Sequence, residues 1–152
     1  MICAWPGVAF AAWLGLWPET GRGSGQRTAM RGSQVANYGL FVGFGAPVRG
    51  RERQSITVFN EAFEYYTRLQ QAGEIESFEP VLLEPHGGEL GGFFLLRGDA
   101  DKLARLRGTE EFARLTVRAQ LIVENLGIVN ATLGEQILGQ ISVFSEQTED
   151  LT

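Results

Sequence analysis

The chain has 152 residues, of which 44% are hydrophobic, and this is enough for one globular domain with a sizeable core. Its net charge of −5 disfavours nucleic acid as a partner, because an acidic protein repels phosphate groups. A single cysteine, Cys3, excludes an intrachain disulfide, and no CxxC, HExxH or paired-histidine pattern is present to bind zinc. We therefore expect no metal site.

Residues 1–37 differ in composition from the rest of the chain. They contain all three tryptophans, followed by a glycine-, serine- and arginine-rich stretch without apolar periodicity. The apolar run 2–17 is shorter than the ~20 residues of a membrane-spanning helix, and no basic residue precedes Arg22 as in a signal peptide. We predict an adventitious or disordered extension, with Met30 as a possible true start and a targeting segment as the alternative. No membrane partner and a cytoplasmic location are expected.

A first strand is predicted over 38–46, because apolar residues occupy both of its faces and Pro47 ends it. The sequence Gly43-Phe44-Gly45 matches part of a dinucleotide-binding fingerprint. It lacks the third glycine, and no parallel βαβ unit follows, so we expect no cofactor.

A first helix is predicted over 51–72. Apolar residues recur there every three or four positions, which is typical of one buried stripe; they are Ile56, Phe59, Phe63, Tyr66 and Leu69. Tyr66 could line a cavity between this helix and the sheet. Arg49 and Arg51 lie at the helix start, where free N–H groups and guanidinium groups together could bind a phosphate or carboxylate. The alternative for the two arginines is a solvated loop.

A β-hairpin is predicted over 75–97, with strands at 75–84 and 92–97 and a glycine-rich loop between them. Pro80 indicates an edge strand, whereas the second strand is apolar on both faces and should be central. The loop contains His86, the only histidine of the chain, which could act as a proton shuttle near neutral pH. Phe93 could supply an apolar wall beside it. The alternative is a turn in which His86 is merely exposed.

The remaining elements are three helices and an edge strand. Asp99 should cap a helix over 100–107, and Thr109 should cap a longer one. A strand over 127–133 follows, then a helix over 134–147 with Ile137, Ile141 and Phe144 on one face, and a tail at 148–152. The domain proper is therefore expected to span 38–147.

The predicted order β-α-β-β-α-β is that of the ferredoxin-like split βαβ plan, an α+β fold with an antiparallel sheet and a further C-terminal helix. Its helices cover only one face of the sheet. Strands 1 and 3 are nevertheless apolar on both faces, so we expect a second copy of the chain to cover the other face.

Residues 38–147 resemble the dimeric α/β-barrel superfamily, which includes small antibiotic-biosynthesis monooxygenases, stress-responsive barrel proteins and YCII-related proteins. The stretch GEIESFEPVLLEPHGGELGGFFLLRG is similar to small uncharacterised bacterial members. The resemblance implies a homodimer whose two sheets close back to back, with a small cavity between each sheet and its helices. No residues match the catalytic signature of a named branch.

Two functions stay open. The first is a non-catalytic homodimer that binds a small organic molecule or a protein partner, and the second is a cofactor-independent enzyme, monooxygenase- or isomerase-like, with His86 as proton shuttle. The sequence favours the first, because an enzyme should show more convergent polar residues. An RNA-recognition domain shares the topology, and LFVGF in strand 1 resembles one of its motifs. Ten basic against 17 acidic residues from position 37 onward disfavour that role.

Overall fold

The computed structural model describes residues 36–151, so residues 1–35 of the predicted extension lie outside the described part of the chain. The described residues belong to one compact unit. The elements in chain order are β1 (Tyr38–Phe44), α1 (Glu52–Gln71), β2 (Ser77–Leu82), β3 (Gly92–Gly98), α2 (Ala100–Arg107), α3 (Glu110–Gln120), β4 (Gly127–Thr132) and α4 (Gln136–Asp150).

The four strands form one antiparallel sheet in the order β2-β3-β1-β4. This is the strand order of the ferredoxin-like fold, so the predicted α+β class, the central positions of β1 and β3 and the additional C-terminal helix are confirmed. Pro80 lies in edge strand β2 opposite Phe94, where the missing N–H of proline is tolerated.

The core lies between one face of the sheet and the helices. Alternate residues of the central strands point to this face, namely Leu40 and Val42 in β1 and Phe94 and Leu96 in β3. Six aromatic rings, those of Phe44, Phe59, Phe63, Tyr66, Phe78 and Phe94, pack edge-on or tilted against one another, with centroid distances between 5.0 and 6.5 Å. These rings fill the space between α1 and the sheet where the resemblance implied a cavity.

The buried stripe of α1 is rotated from the predicted one. Ile56 is 57% exposed, so its predicted place in the core was wrong, whereas Val58 and Tyr65 are buried. The reason is that α1 packs against α3 as well as against the sheet. The apolar residues of α1 are therefore divided between contacts with the sheet and contacts with α3.

The predicted helix caps are confirmed. Asp99 Oδ1 accepts hydrogen bonds from the N–H groups of Asp101 and Lys102, and Thr109 Oγ1 accepts one from Phe112. The last helix begins two residues later than predicted and continues to Asp150, so part of the predicted tail is helical. All residues of α4 up to Glu149 are exposed in the single chain.

Candidate functional site

Three connecting segments converge at one end of the sheet. They are the β1–α1 segment 45–51, the hairpin loop 83–91 and the α3–β4 segment 121–126. The Gly91 N–H donates to the Phe44 carbonyl at 2.8 Å, and the Val48 N–H donates to the Ile122 carbonyl at 2.9 Å. Backbone hydrogen bonds thus bring the segment that carries Arg49 and Arg51 to the same end of the sheet as the loop that carries His86.

Gly45 lies where these three segments approach most closely. Its N–H donates to the Glu124 carbonyl at 2.8 Å, and a Cβ at this position would lie 2.7 Å from the Glu89 oxygen and 2.8 Å from that of Glu124. Only glycine fits between two backbone carbonyls at this distance. The second glycine of the GxG sequence is therefore required for packing.

His86 braces the hairpin loop through both ring nitrogens. Nδ1 accepts a hydrogen bond from the Gly88 N–H at 3.2 Å, and Nε2 lies 2.8 Å from the Leu90 carbonyl, to which it donates. This pattern requires the neutral imidazole with its proton on Nε2. The histidine is exposed, yet its ring is held by the loop backbone, so its predicted role as a proton shuttle would require these hydrogen bonds to break.

The start of α1 already holds a carboxylate from the chain itself. Glu52 Oε1 accepts a hydrogen bond from the Gly50 N–H at 3.0 Å. Hydrogen bonds from the backbone N–H groups of Glu52 and Gly50 lower the pKa of this carboxyl. Arg51 donates from Nη1 to the Leu121 carbonyl and so satisfies the C-terminal end of α3, whereas Arg49 is exposed. Arg51 and the Gly50 N–H are thus engaged by groups of the chain itself, and the anion clamp of Arg49 and Arg51 stays a prediction.

The other two candidate residues lie on opposite faces of the sheet. Tyr66 is 2% exposed, and its ring centroid lies 5.2 Å from that of Phe94. Tyr66 is therefore in the core on the helix side of the sheet. Burial raises the pKa of the Tyr66 hydroxyl. Phe93 precedes Phe94 in β3 and therefore points to the other face of the sheet, which the helices leave uncovered. Tyr66 and Phe93 do not line a common pocket, and their predicted roles in ligand binding remain predictions.

The open face of the sheet is largely apolar. The rings of Phe41 and Phe93 lie 5.0 Å apart on adjacent central strands, and Val129 on β4 is 55% exposed. The Phe41 ring lies across Gly43, where a Cβ would be 2.5 Å from it. An ion pair between Arg97 and Glu79, at 3.3 Å, lies towards the β2 edge. We call this surface the open face; its apolar residues are Phe41, Val81, Phe93, Leu95, Val129 and Ala131.

An apolar groove of about 390 Å³ runs between α3 and β4 on the helix side, and we call it the α3–β4 groove. Sequence analysis did not identify it, although Val117 and Leu121, four residues apart and both more than half exposed, form a second apolar row on α3. The groove is lined by Arg107, Phe112, Ala113, Thr116, Val117, Gln120, Leu126 and Ile128.

Neither a metal site nor a membrane span is found in the described part of the chain. Within residues 36–151, no three or more His, Cys, Asp or Glu side chains are grouped so that they could hold a metal ion. None of the helices in the same range is long and apolar enough to cross a bilayer.

No protein-family model and no curated protein matches this chain. Solved structures that resemble it include two proteins of unknown function. One is a dimeric protein of unknown function with a ferredoxin-like fold from Bacteroides fragilis, with 12% identity, a TM-score of 0.49, and coverage of 65% of this chain and 99% of the other. The second is a protein of unknown function from Nitrosomonas europaea, with 17% identity, a TM-score of 0.48, and coverage of 65% and 90%. The ferredoxin-like assignment of this chain rests on its own strand order and register.

Proposed function

We propose that the protein is a homodimeric, non-catalytic binding module in which the open faces of two copies pack together to form an α/β barrel. The observation that supports this proposal is the apolar character of the open face, where Phe41, Phe93 and Val129 point away from the chain's own helices. A sheet with one face in water would alternate apolar and polar residues. An apolar face of this kind is typical of an interaction surface.

A second copy of the chain is the occupant that fits the open face best. Sheets pack face to face at about 10 Å, a distance that accommodates interdigitated side chains from both layers. The face is apolar across both central strands, where Phe41, Phe93 and Leu95 lie, so a second copy would meet it with the same apolar surface. The ion pair of Arg97 and Glu79 near the β2 edge resembles the polar rim of a protein interface.

The geometry favours a binding role over the enzyme alternative. A catalytic acid or base must reach a substrate proton, but both nitrogens of His86 are bonded to the loop backbone. The guanidinium of Arg51 and the carboxylate of Glu52 are likewise engaged by backbone groups. The barrel would then present its loop ends to a small organic molecule or to a protein partner.

Light scattering coupled to gel filtration tests the dimer. We expect a mass of twice 16.7 kDa at micromolar concentration. Replacing Phe41 with glutamate would place a charge without a partner in the interface and should return the mass of a single chain. Val129→Glu should act in the same way, and because Val129 is 55% exposed in the single chain, it should not disturb folding.

The matched control is Ile56→Glu, which introduces the same charge at a position that is 57% exposed on α1, away from the open face. This variant should remain a dimer. Far-UV circular dichroism establishes that each variant is folded. A mass of 16.7 kDa for the unmodified protein, or an unchanged dimer in both open-face variants, would contradict the proposal.

A further inference from the structure

The last helix carries an apolar stripe that its own chain leaves uncovered. Ile137, Ile141 and Phe144 follow one another at spacings of four and three residues and are 43%, 55% and 74% exposed. The contacts of α4 with the sheet are made by another side of the helix, through the hydrogen bond from Gln140 to Thr132 at 2.8 Å. We call these three residues the α4 stripe.

Helix α4 needs a further surface against which its apolar face can pack. An isolated helix of 15 residues is marginally stable in water, and most helical stability in proteins comes from packing of the apolar face. The α4 stripe is more exposed towards its end, rising from Ile137 to Phe144. Helix α4 therefore projects from the rest of the domain as an arm whose apolar side is exposed.

The charge of α4 argues against a membrane surface as its partner. Amphipathic helices that bind anionic membranes carry lysine and arginine on their polar face. No lysine or arginine follows Arg118 in the sequence, and α4 carries Glu146 and Glu149. The stripe therefore fits a protein surface that is apolar and exposed.

The α3–β4 groove has these properties. Its floor includes Phe112, Leu126 and Ile128, and its lining contains one charged side chain, Arg107, whose Nη1 donates to Asn130 Oδ1 at 3.1 Å. Along α3 the groove extends from Phe112 to Gln120, about 12 Å at 1.5 Å per residue, and the α4 stripe spans about 10 Å by the same measure. The two surfaces thus agree in length and in apolar character.

We propose that the α4 stripe of one copy packs into the α3–β4 groove of the second copy, so that the dimer is held by exchanged C-terminal arms in addition to its sheets. This inference rests on the proposed homodimer. The junction between β4 and α4 supports it, because Leu133 contacts the open-face side of the sheet beside Gly39 and Leu95. The arm therefore starts at the β4 edge, between the open face, on which Leu133 lies, and the helix side, to which Thr132 points. Gly134, with a φ of +55°, provides the turn at which an exchanged element can pivot.

Cross-linking between two single-cysteine variants tests the exchange. Both variants of the full chain carry Cys3→Ser; one has Phe144→Cys on α4 and the other has Val117→Cys in the groove. After mixing and equilibration, a short bis-maleimide should yield covalent dimers that contain one copy of each variant. Ser142→Cys, on the opposite side of α4 from Phe144, is the matched control in place of Phe144→Cys and should yield far less product.

Affinity provides the second measurement. Phe144→Glu and Val117→Glu should each raise the dimer dissociation constant by roughly tenfold or more, as expected for an apolar anchor in an interface. Ser142→Glu, on the opposite side of α4 from Phe144, and Ile56→Glu, which is 57% exposed on α1, should leave it unchanged. Sedimentation velocity over a dilution series measures all four variants.

The outcomes separate this inference from the proposed dimer. A dimer mass without mixed cross-links would overturn the arm exchange and leave the sheet-to-sheet dimer standing. A link within one chain, in a variant that carries both Val117→Cys and Phe144→Cys, would show that the groove receives its own helix, which also overturns the exchange. A monomer of the unmodified protein would overturn both proposals.

Discussion

Phe93 and Phe94 are adjacent in β3 but point to opposite faces of the sheet. Replacing each with alanine therefore tests the packing on a different face. Phe94 is 3% exposed, and its ring centroid lies 5.0 Å from that of Phe59 and 5.2 Å from that of Tyr66. Removing a buried phenylalanine from such a cluster costs about 3–5 kcal/mol through lost burial and the cavity that remains. This is a large part of the about 5–15 kcal/mol that stabilises a typical domain.

Phe93 should behave differently. In the single chain it is partly exposed and is covered on one side by Phe41, so its loss should cost the folded monomer only about 1–2 kcal/mol. Its larger contribution should appear through the dimer. The stability of an associating protein rises with its concentration, and Phe93→Ala should weaken this dependence, whereas Phe94→Ala should preserve it.

Urea denaturation at several protein concentrations, followed by far-UV circular dichroism, distinguishes the two variants. With a slope of about 1–3 kcal/mol per molar urea, Phe94→Ala should lower the midpoint by roughly 1–5 M at every concentration. The shift for Phe93→Ala should be smaller at low concentration and grow as the concentration rises. Equal shifts for both variants at all concentrations would refute the assignment of the two faces.

Three further predictions follow from single residues. Gly45→Ala should destabilise the fold by about 1–3 kcal/mol in thermal or urea unfolding, because its methyl group would press on two carbonyl oxygens at 2.7 and 2.8 Å; wild-type stability would contradict this packing. Because burial raises the pKa of Tyr66 above its ordinary value of 10.0, the unfolded chain loses this proton first, so stability should be retained below pH 10 and fall above it. Tyr66→Phe should flatten that fall, and an unchanged alkaline slope would refute the role of Tyr66. Nitrogen NMR of His86 should show the tautomer protonated at Nε2, and the opposite tautomer would contradict the two hydrogen bonds of the ring. His86→Ala should speed the amide exchange of Gly88 with little change in global stability.

Sequence periodicity was sufficient to predict the order and the type of the helices and strands. The helix caps at Asp99 and Thr109 depend on residues two or three positions away, and the edge position of β2 follows from Pro80 alone. Such signals are local, because a helix or strand is selected by the spacing of apolar residues and by the residues at its ends. The split order of strands then followed from the order of the elements.

The candidate site could be predicted only in part. Sequence reasoning placed His86 in a glycine-rich loop and Arg51 at the start of α1, and the structure agrees with both positions. It could not show that the His86 ring is bonded to Gly88 and Leu90, or that Arg51 donates to a carbonyl at position 121. These partners depend on the path of the backbone through the loop and across 70 residues of chain, which no local pattern encodes.

Which side each apolar residue faces was likewise decided by the tertiary structure. The sequence by itself required that both faces of β1 and β3 be covered, but a shift of one residue in register exchanges the faces, so the outward positions of Phe41 and Phe93 followed only from the pairing of the strands. Ile56 fits the helical period of α1 yet is exposed, because α1 packs on α3 as well as on the sheet. The α4 stripe is the converse case: its period was visible in the sequence, but only the structure shows that the chain itself leaves it uncovered. A pattern determines which residues share a face, whereas the surface that covers that face depends on contacts between distant parts of the chain.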